Sequence, residues 1–254
     1  MKAKKSYGQH FLHDEHIAER IAASLIHASD YEQRVVEVGP GMGMLTKYLM
    51  LKNYDIKAVE ADADMVAYLQ QNYPNLRVTY FDFLKYDLQS AFDGKTFGLI
   101  GNFPYNISSQ IVFRMIEHRQ LIPEMVGMFQ REMAERIIAK SGGKEYGIIS
   151  VLTQAYYDGG LLFTLGRGAF TPPPNVQSAV IRLTRKENYQ LPCDEVLLRK
   201  IVKQSFNQRR KMLRNTLADM VQNKAILEQP IFTKRPEALS VAAFVELTQL
   251  IAEK

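Results

Sequence analysis

Short apolar runs alternate with segments of helical period over the first 185 residues. Arg34–Val38 (Arg-Val-Val-Glu-Val) predicts a strand that runs into Gly39-Pro-Gly-Met-Gly43, and Thr46–Leu51 the helix after it. Ile56–Glu60 predicts a second strand, Ala63–Asn72 a second helix and Arg77–Tyr80 a third strand. Thr96–Ile100 predicts a fourth strand, followed by a helix from Ser108, a favourable N-cap, to His118. Met125–Phe129 predicts a fifth, with Arg131–Lys140 helical behind it. Strands that alternate with helices point to a mostly parallel α/β sheet covered on both faces. Leu161–Leu165 and Val180–Leu183 are two late strands split by Thr171-Pro-Pro-Pro174. No helix lies between them, which predicts an antiparallel edge. After Lys186 the pattern turns helical over Asp194–Phe206, Lys211–Met220 and Val241–Ile251, so a boundary is placed near Arg185–Pro192.

Composition narrows the class. The chain has 254 residues, 46% hydrophobic and 23% charged, which excludes intrinsic disorder. At about 150 residues per domain, the length fits one large domain plus a small one. The longest uncharged run, Thr96–Phe113, is broken by Asn102, Pro104, Asn106 and Ser108, so it is not a membrane span. The basic start before Gly8-Gln9-His10-Phe11-Leu12 lacks an apolar stretch, and no secretory signal is expected. Cys193 is the single cysteine. That excludes a disulfide framework or a cysteine zinc cluster and fits a reducing, cytoplasmic setting. Beside Pro192 and without a base partner, it reads as an inert thiol.

Charge changes the picture only when it is located. The net charge is +5, with +1 in residues 1–185 and +4 in 186–254. Arg199–Arg214 alone carries +7 and no acid. A solvated helix face normally mixes signs. The run, interleaved with Gln204, Asn207, Gln208 and Asn215, therefore suits phosphate and sugar contacts, with Lys203, Arg209, Arg210, Lys211 and Arg214 as candidates. A merely soluble helical surface is the alternative. Lys2, Lys4 and Lys5 form a smaller cluster, either a solvated tail or a further phosphate contact.

Two segments carry candidate chemistry. The first is the glycine turn, where the backbone must turn sharply and approach a ligand closely. Its spacing is G-x-G-x-G, which weakens a nicotinamide-dinucleotide reading. Glu60 ends the next strand and suits both hydroxyls of a ribose, so an adenosine-type ligand is implied. NAD and S-adenosylmethionine both satisfy it at this point. Asp82, after the third strand, suits an adenine amino group. The second segment is Asn102-Phe-Pro-Tyr105, beyond the fourth strand and facing the same crevice. An aromatic amine is a poor nucleophile because its lone pair is delocalised into the ring. The Asn102 side-chain oxygen and a backbone carbonyl can hold its N–H bonds and aim the lone pair. Pro104 stiffens the turn and Tyr105 offers a stacking face. Phe170, in the uncharged stretch Gly168–Ile181, is either the opposite stacking wall or a core residue. His10, His13 and His16 beside Asp14 and Glu15 read as a polar helix start rather than a metal site.

With these residues on the page, the chain resembles the small-subunit ribosomal RNA adenine dimethyltransferase (KsgA) family nearly end to end. The resemblance is carried by Lys5-Ser-Tyr-Gly-Gln-His-Phe-Leu12, Glu37-Val-Gly-Pro-Gly-Met-Gly43, Val59-Glu-Ala-Asp62, Asp82-Phe-Leu84, Asn102-Phe-Pro-Tyr105-Asn-Ile-Ser, Phe129-Gln-Arg-Glu132 and Phe170-Thr-Pro-Pro-Pro-Asn-Val-Gln-Ser178. It implies a class I S-adenosylmethionine-dependent methyltransferase fold, Rossmann-like, over residues 1–185. It also implies a small all-α RNA-binding domain over 186–254. The implied reaction is N6,N6-dimethylation of two adjacent adenosines in a hairpin near the 3′ end of small-subunit rRNA, with S-adenosyl-L-methionine as donor and no metal. By position, His10, Leu12, Gly39, Gly41, Glu60, Asp82 and Asn102 would contact the cofactor. Asn102, Pro104 and Tyr105 would hold the adenine, and Phe170 would stack on it. His10 stands where the family often has Asn, Phe103 where it has Leu, Phe81 where it has Gly and Tyr7 where it has Leu. The expected partner is an immature small ribosomal subunit, met by a monomer away from any membrane. The rivals are the related large-subunit dimethylase of the macrolide-resistance type, a ribosome-assembly factor that uses the fold to bind RNA, and an NAD-dependent enzyme. The last explains neither the tetrad nor the basic run.

Overall fold

A computed structural model describes residues 10–252, so the expectations placed on Lys2, Lys4, Lys5 and Tyr7 lie outside the described residues. The chain divides into two compact units. One holds the chain up to Ala134 together with Gly159–Arg185, and the other holds Glu135–Asp158 together with Lys186 onward.

The first unit begins with a two-residue strand, β1 (Phe11–Leu12), and helix α1 (Glu15–Ala22). Asp14 caps α1 by accepting from the Ile17 N–H at 3.1 Å, and its buried face is Ala18, Ile21 and Ala22. The sheet is then laid down by β2 (Arg34–Val38), α2 (Thr46–Met50), β3 (Asp55–Glu60), α3 (Ala63–Asn72) and β4 (Arg77–Tyr80). After the short α4 (Leu88–Ala91) come β5 (Gly98–Asn102), α5 (Ser108–Glu117), β6 (Glu124–Gln130) and α6 (Arg131–Ile137). Every residue of β2 is buried, as in a central strand with both faces covered. After α7 (Ile148–Gln154) the sheet is completed by β7 (Tyr157–Leu165) and β9 (Ser178–Arg185), with β8 (Phe170–Thr171) between them in the chain.

The strand order is β4-β3-β2-β5-β6-β9-β7. The pairings from β4 to β6 are all parallel, while β9 runs antiparallel to β6. The late strands thus form the antiparallel edge expected from the missing helix, but the last strand inserts between β6 and β7. β1 pairs with β8 in a separate antiparallel ladder, Leu12 opposite Phe170. The winding reverses between β2 and β5: β3 and β4 follow on one side of β2, and β5 lies on the other. Ligands of open α/β sheets bind beyond the strand C-termini at such a switch point.

One buried acid is structural. The Glu124 carboxylate accepts from the Ile26 and His27 backbone N–H groups at 3.1 Å each and from the Tyr31 hydroxyl at 2.8 Å. It thereby tethers the segment after α1 to the start of β6. Tyr31 is pushed up from its ordinary pKa by burial, with the Glu124 charge adding to the effect.

The second unit is helical. Its main elements are α7, α8 (Glu195–Asn207), α9 (Leu213–Thr216) and α10 (Val241–Ala252). Asp194 caps α8, accepting from the Val196 and Leu197 N–H groups. Leu198, Ile201 and Val202 of α8 and Phe244 and Leu247 of α10 are buried. Phe206 packs between Tyr146 and Phe244, with ring centroids 6.1 and 5.9 Å away. The expected boundary at Arg185 assigned residues 135–158 to the first domain. The structure groups them with the helices, since α7 presents the buried Val151 and Leu152 to that core. Lys211–Met220 is not one helix but a short α9 followed by a 3-10 turn. Among the described residues no helix is long and apolar enough to cross a membrane.

Candidate active site

The switch point opens a cleft of about 780 Å³ at the C-terminal ends of β2, β3 and β5. That volume suits a small-molecule ligand. The glycine turn forms one wall. Gly39, Gly41 and Gly43 all have positive φ, and a Cβ on Gly43 would sit 2.5 Å from the Tyr73 ring. Only glycine permits both the backbone and the approach. The Gly41 N–H donates to Glu60 Oε2 at 3.0 Å, and the Asp62 N–H donates to Oε1 at 3.0 Å. Glu60 therefore shapes the turn, and its remaining lone pairs can still accept from ligand hydroxyls. Burial raises the Glu60 pKa, opposed by the backbone hydrogen bonds from Asp62, Gly41 and Ala61. Asp82 stands exposed at the cleft after β4, its carboxylate accepting from the Leu84 N–H at 2.9 Å.

The tetrad at the end of β5, the strand next to β2, forms the adjoining wall. The Asn102 amide nitrogen donates to the His10 carbonyl oxygen at 3.1 Å. A carbonyl can only accept, so this contact turns Nδ2 toward the N-terminal segment and leaves Oδ1 as the atom for a ligand. The Tyr105 hydroxyl and Ser178 Oγ are 2.6 Å apart, and burial raises the Tyr105 pKa while Ser178 lowers it. His10 Nδ1 lies 2.8 Å from the Pro172 carbonyl oxygen, and its ring stacks on Tyr105 with centroids 5.4 Å apart.

The structure thus gathers His10, Leu12, Gly39, Gly41, Glu60, Asp82, Asn102, Pro104 and Tyr105 around one cleft. Phe170 is not among the lining residues. It is 2% exposed and belongs to the core beneath the β1–β8 ladder. The ring that faces Tyr105 is His10. Phe103, the departure inside the tetrad, turns its ring into the protein. It is 1% exposed, packs 5.1 Å from the Phe129 ring and fills the space left by Gly127.

Several further residues, to which the sequence motifs assign no site role, line the cleft. Tyr80 and Phe81 are exposed aromatics beside Asp82. Their exposure at the end of an edge strand could not be read from hydropathy. Glu37 is also in the cleft wall, buried on β2 and accepting from Thr46 Oγ1 at 2.7 Å. Burial pushes its pKa up to about 8, the Thr46 hydroxyl works against this, and the Glu60 charge adds to it. An acid inside an apolar strand is the sequence signal for such a residue. In the other unit Lys203, Arg210, Lys211 and Arg214 are exposed, whereas Arg209 is half-buried.

Comparison with known proteins agrees with this geometry. The ribosomal RNA small subunit methyltransferase A of Flavobacterium johnsoniae is 53% identical, over 99% of this chain and 96% of its own length. The crystal structure of a dimethyladenosine transferase from Plasmodium falciparum superposes with a TM-score of 0.76 at 25% identity, covering 94% of this chain and 96% of that one. The crystal structure of the 23S rRNA methyltransferase ErmE has a TM-score of 0.67 at 23% identity, covering 94% and 99%, and shows the shared fold. The family described as ribosomal RNA adenine dimethylase matches residues 1–251, and the chain belongs to it.

Proposed function

We propose that this chain transfers methyl groups from S-adenosylmethionine to N6 of two adjacent adenosines near the 3′ end of small-subunit rRNA, giving N6,N6-dimethyladenosines during small-subunit assembly. The observation that carries the reading is the placement of Asn102, Pro104 and Tyr105 in one cleft with Glu60 and the glycine turn. Membership of the family supports the reaction type. A relative 53% identical over nearly the full chain, named for the small subunit, favours that target over the large-subunit alternative.

Glu60 would hold the ribose hydroxyls, Asp82 the adenine amine of the donor, and the turn at Gly39 and Gly41 would let the donor approach the backbone. The donor supplies an electrophilic sulfonium methyl. Asn102 Oδ1 and a neighbouring backbone carbonyl would accept the N–H bonds of the target amine and aim its lone pair at that methyl. Tyr105 would stack on the base, which must leave its helix to enter. Catalysis is then alignment and proximity, with no covalent intermediate on the protein. The pocket must also accept the monomethylated amine for the second transfer. The working unit in this proposal is a monomer in the cytoplasm. Its partner is an immature small subunit.

Three experiments test the proposal and its rivals. Mass spectrometry of small-subunit rRNA from a strain lacking the gene should show the dimethyladenosines gone, and their persistence refutes the reading. Methyl transfer should proceed on immature small subunits and not on protein-free large-subunit rRNA. The reverse preference selects the large-subunit alternative. Calorimetry with S-adenosylmethionine addresses the assembly-factor reading, because a binding-only protein need release no heat.

A further inference from the structure

Arg209 of the basic run is half-buried and engaged within the helical unit. Its Nη2 donates to the Gly143 carbonyl at 2.9 Å, and its Nε lies 3.9 Å from Glu237 Oε2. Glu237 also acts through its backbone, where its carbonyl accepts the Gly142 N–H at 2.6 Å. Arg209 and Glu237 together pin the loop that follows α6, which turns at Gly142 with φ of +88°. The other end of the loop is fixed from α7. Ser150 Oγ donates to the Arg136 carbonyl at 2.5 Å, and Gln154 Nε2 donates to the Ile137 and Ala139 carbonyls at 3.1 and 2.8 Å. All of these residues belong to the helical unit.

The loop carries two exposed cations, Lys140 and Lys144. The acids beside them face other groups: Glu145 lies 3.7 Å from Arg136, and Glu237 faces Arg209. Arg210 and Lys211, next to the arginine that holds the loop, are exposed as well. Positive charge whose neighbouring acids face other cations has one common complement on an RNA-modifying protein, the phosphate backbone. Lysine suits it as a flexible point charge.

Resting on the proposed rRNA-modifying function, we propose that the loop around Lys140 and Lys144 is a second phosphate-contacting element of the RNA surface. On this assignment Arg209 is a positioning residue that holds the loop beside Arg210 and Lys211, and it does not itself contact phosphate. This departs from the sequence reading, which treats the five cations alike and gives the loop no part.

The test uses the full chain and purified immature small subunits, with affinity measured across a salt series. Lys140→Gln/Lys144→Gln should weaken binding about tenfold near physiological salt and reduce the slope of log affinity against log salt by about 1.5, as two lost phosphate contacts require. Arg209→Lys keeps its charge but loses the guanidinium hydrogen bond to Gly143 and its placement opposite Glu237. It should weaken binding comparably, and adding it to the lysine pair should cause little further loss. Full additivity would overturn the positioning role. Calorimetric binding of S-adenosylmethionine should be unchanged in every variant. An unaltered affinity and slope for the lysine pair, with Arg210→Gln/Lys211→Gln still weakening binding, would overturn the loop assignment and leave the RNA reading intact. Unaltered binding in both pairs would overturn both.

Discussion

Asn102 illustrates how a single side chain is oriented by a neighbour distant in sequence. Its amide nitrogen is claimed by the His10 carbonyl, so its oxygen is the atom presented to a ligand. Phe103, next to it, explains a departure that the sequence left open. A Cβ on Gly127 would lie 2.3 Å from Phe103 Cε2 and 2.6 Å from Phe129 Cε2, so the bulky ring is accommodated by the missing side chain on β6. Gly127→Ala should therefore cost roughly 1–3 kcal/mol by overpacking. Adding Phe103→Leu should recover part of that loss in denaturant unfolding, and simple additivity of the two changes would refute the coupling. Glu37 gives a pH dependence. Its folded pKa, about 8, is raised above the ordinary carboxylate value by burial. Below the ordinary value the acid is neutral in both states and costs nothing. As pH rises from about 4.5 to about 8 the unfolded chain ionises while the folded one resists, so stability falls across that window. Glu37→Gln should flatten this decline by roughly a few kcal/mol, measured as unfolding free energy at pH 5 and pH 8. A parallel pH profile in the two proteins would contradict the burial effect.

At the scale of elements, the repeating pattern was legible and the exceptions were not. The strands at Arg34, Ile56 and Met125 and the glycine turn follow from apolar runs bounded by turn residues. The tetrad is legible because Asn, Pro and Tyr at a strand end suit one chemistry. The β1–β8 ladder is two residues long on each side, too short for any periodicity, and it is formed across nearly the whole first unit. That ladder decides the place of Phe170. Sequence alone leaves a stacking wall and a core residue as equal readings, whereas pairing opposite Leu12 buries the ring. Phe170→Ala should lower stability by about 3–5 kcal/mol. Preserved stability with a selective loss of turnover would restore the stacking role. The predicted helix to Lys140 stops at Ile137 because Ser141-Gly142-Gly143 turns the chain, and that stop creates the loop held by Arg209. The insertion of β9 between β6 and β7 is likewise set by long-range pairing, which no local pattern encodes.

For the whole molecule, the net charge of +5 conceals an uneven distribution. Residues 1–185 sum to +1 and residues 186–254 to +4, with +7 concentrated in Arg199–Arg214. The cleft lies in the unit built around the sheet, and the exposed cations Lys203, Arg210, Lys211 and Arg214 lie on the helical one. Chemistry and RNA affinity should therefore separate by mutation, and Asn102 is where that separation is sharpest. The most direct measurement is single-turnover transfer of labelled methyl from S-adenosylmethionine to immature small subunits, comparing the native chain with Asn102→Ala. The account predicts label in N6,N6-dimethyladenosine of small-subunit rRNA with the native chain. With Asn102→Ala it predicts a rate at least about 100-fold lower, with particle affinity kept, as expected when the reacting amine is no longer aligned. Full activity in Asn102→Ala, or label appearing only in large-subunit rRNA, would contradict it.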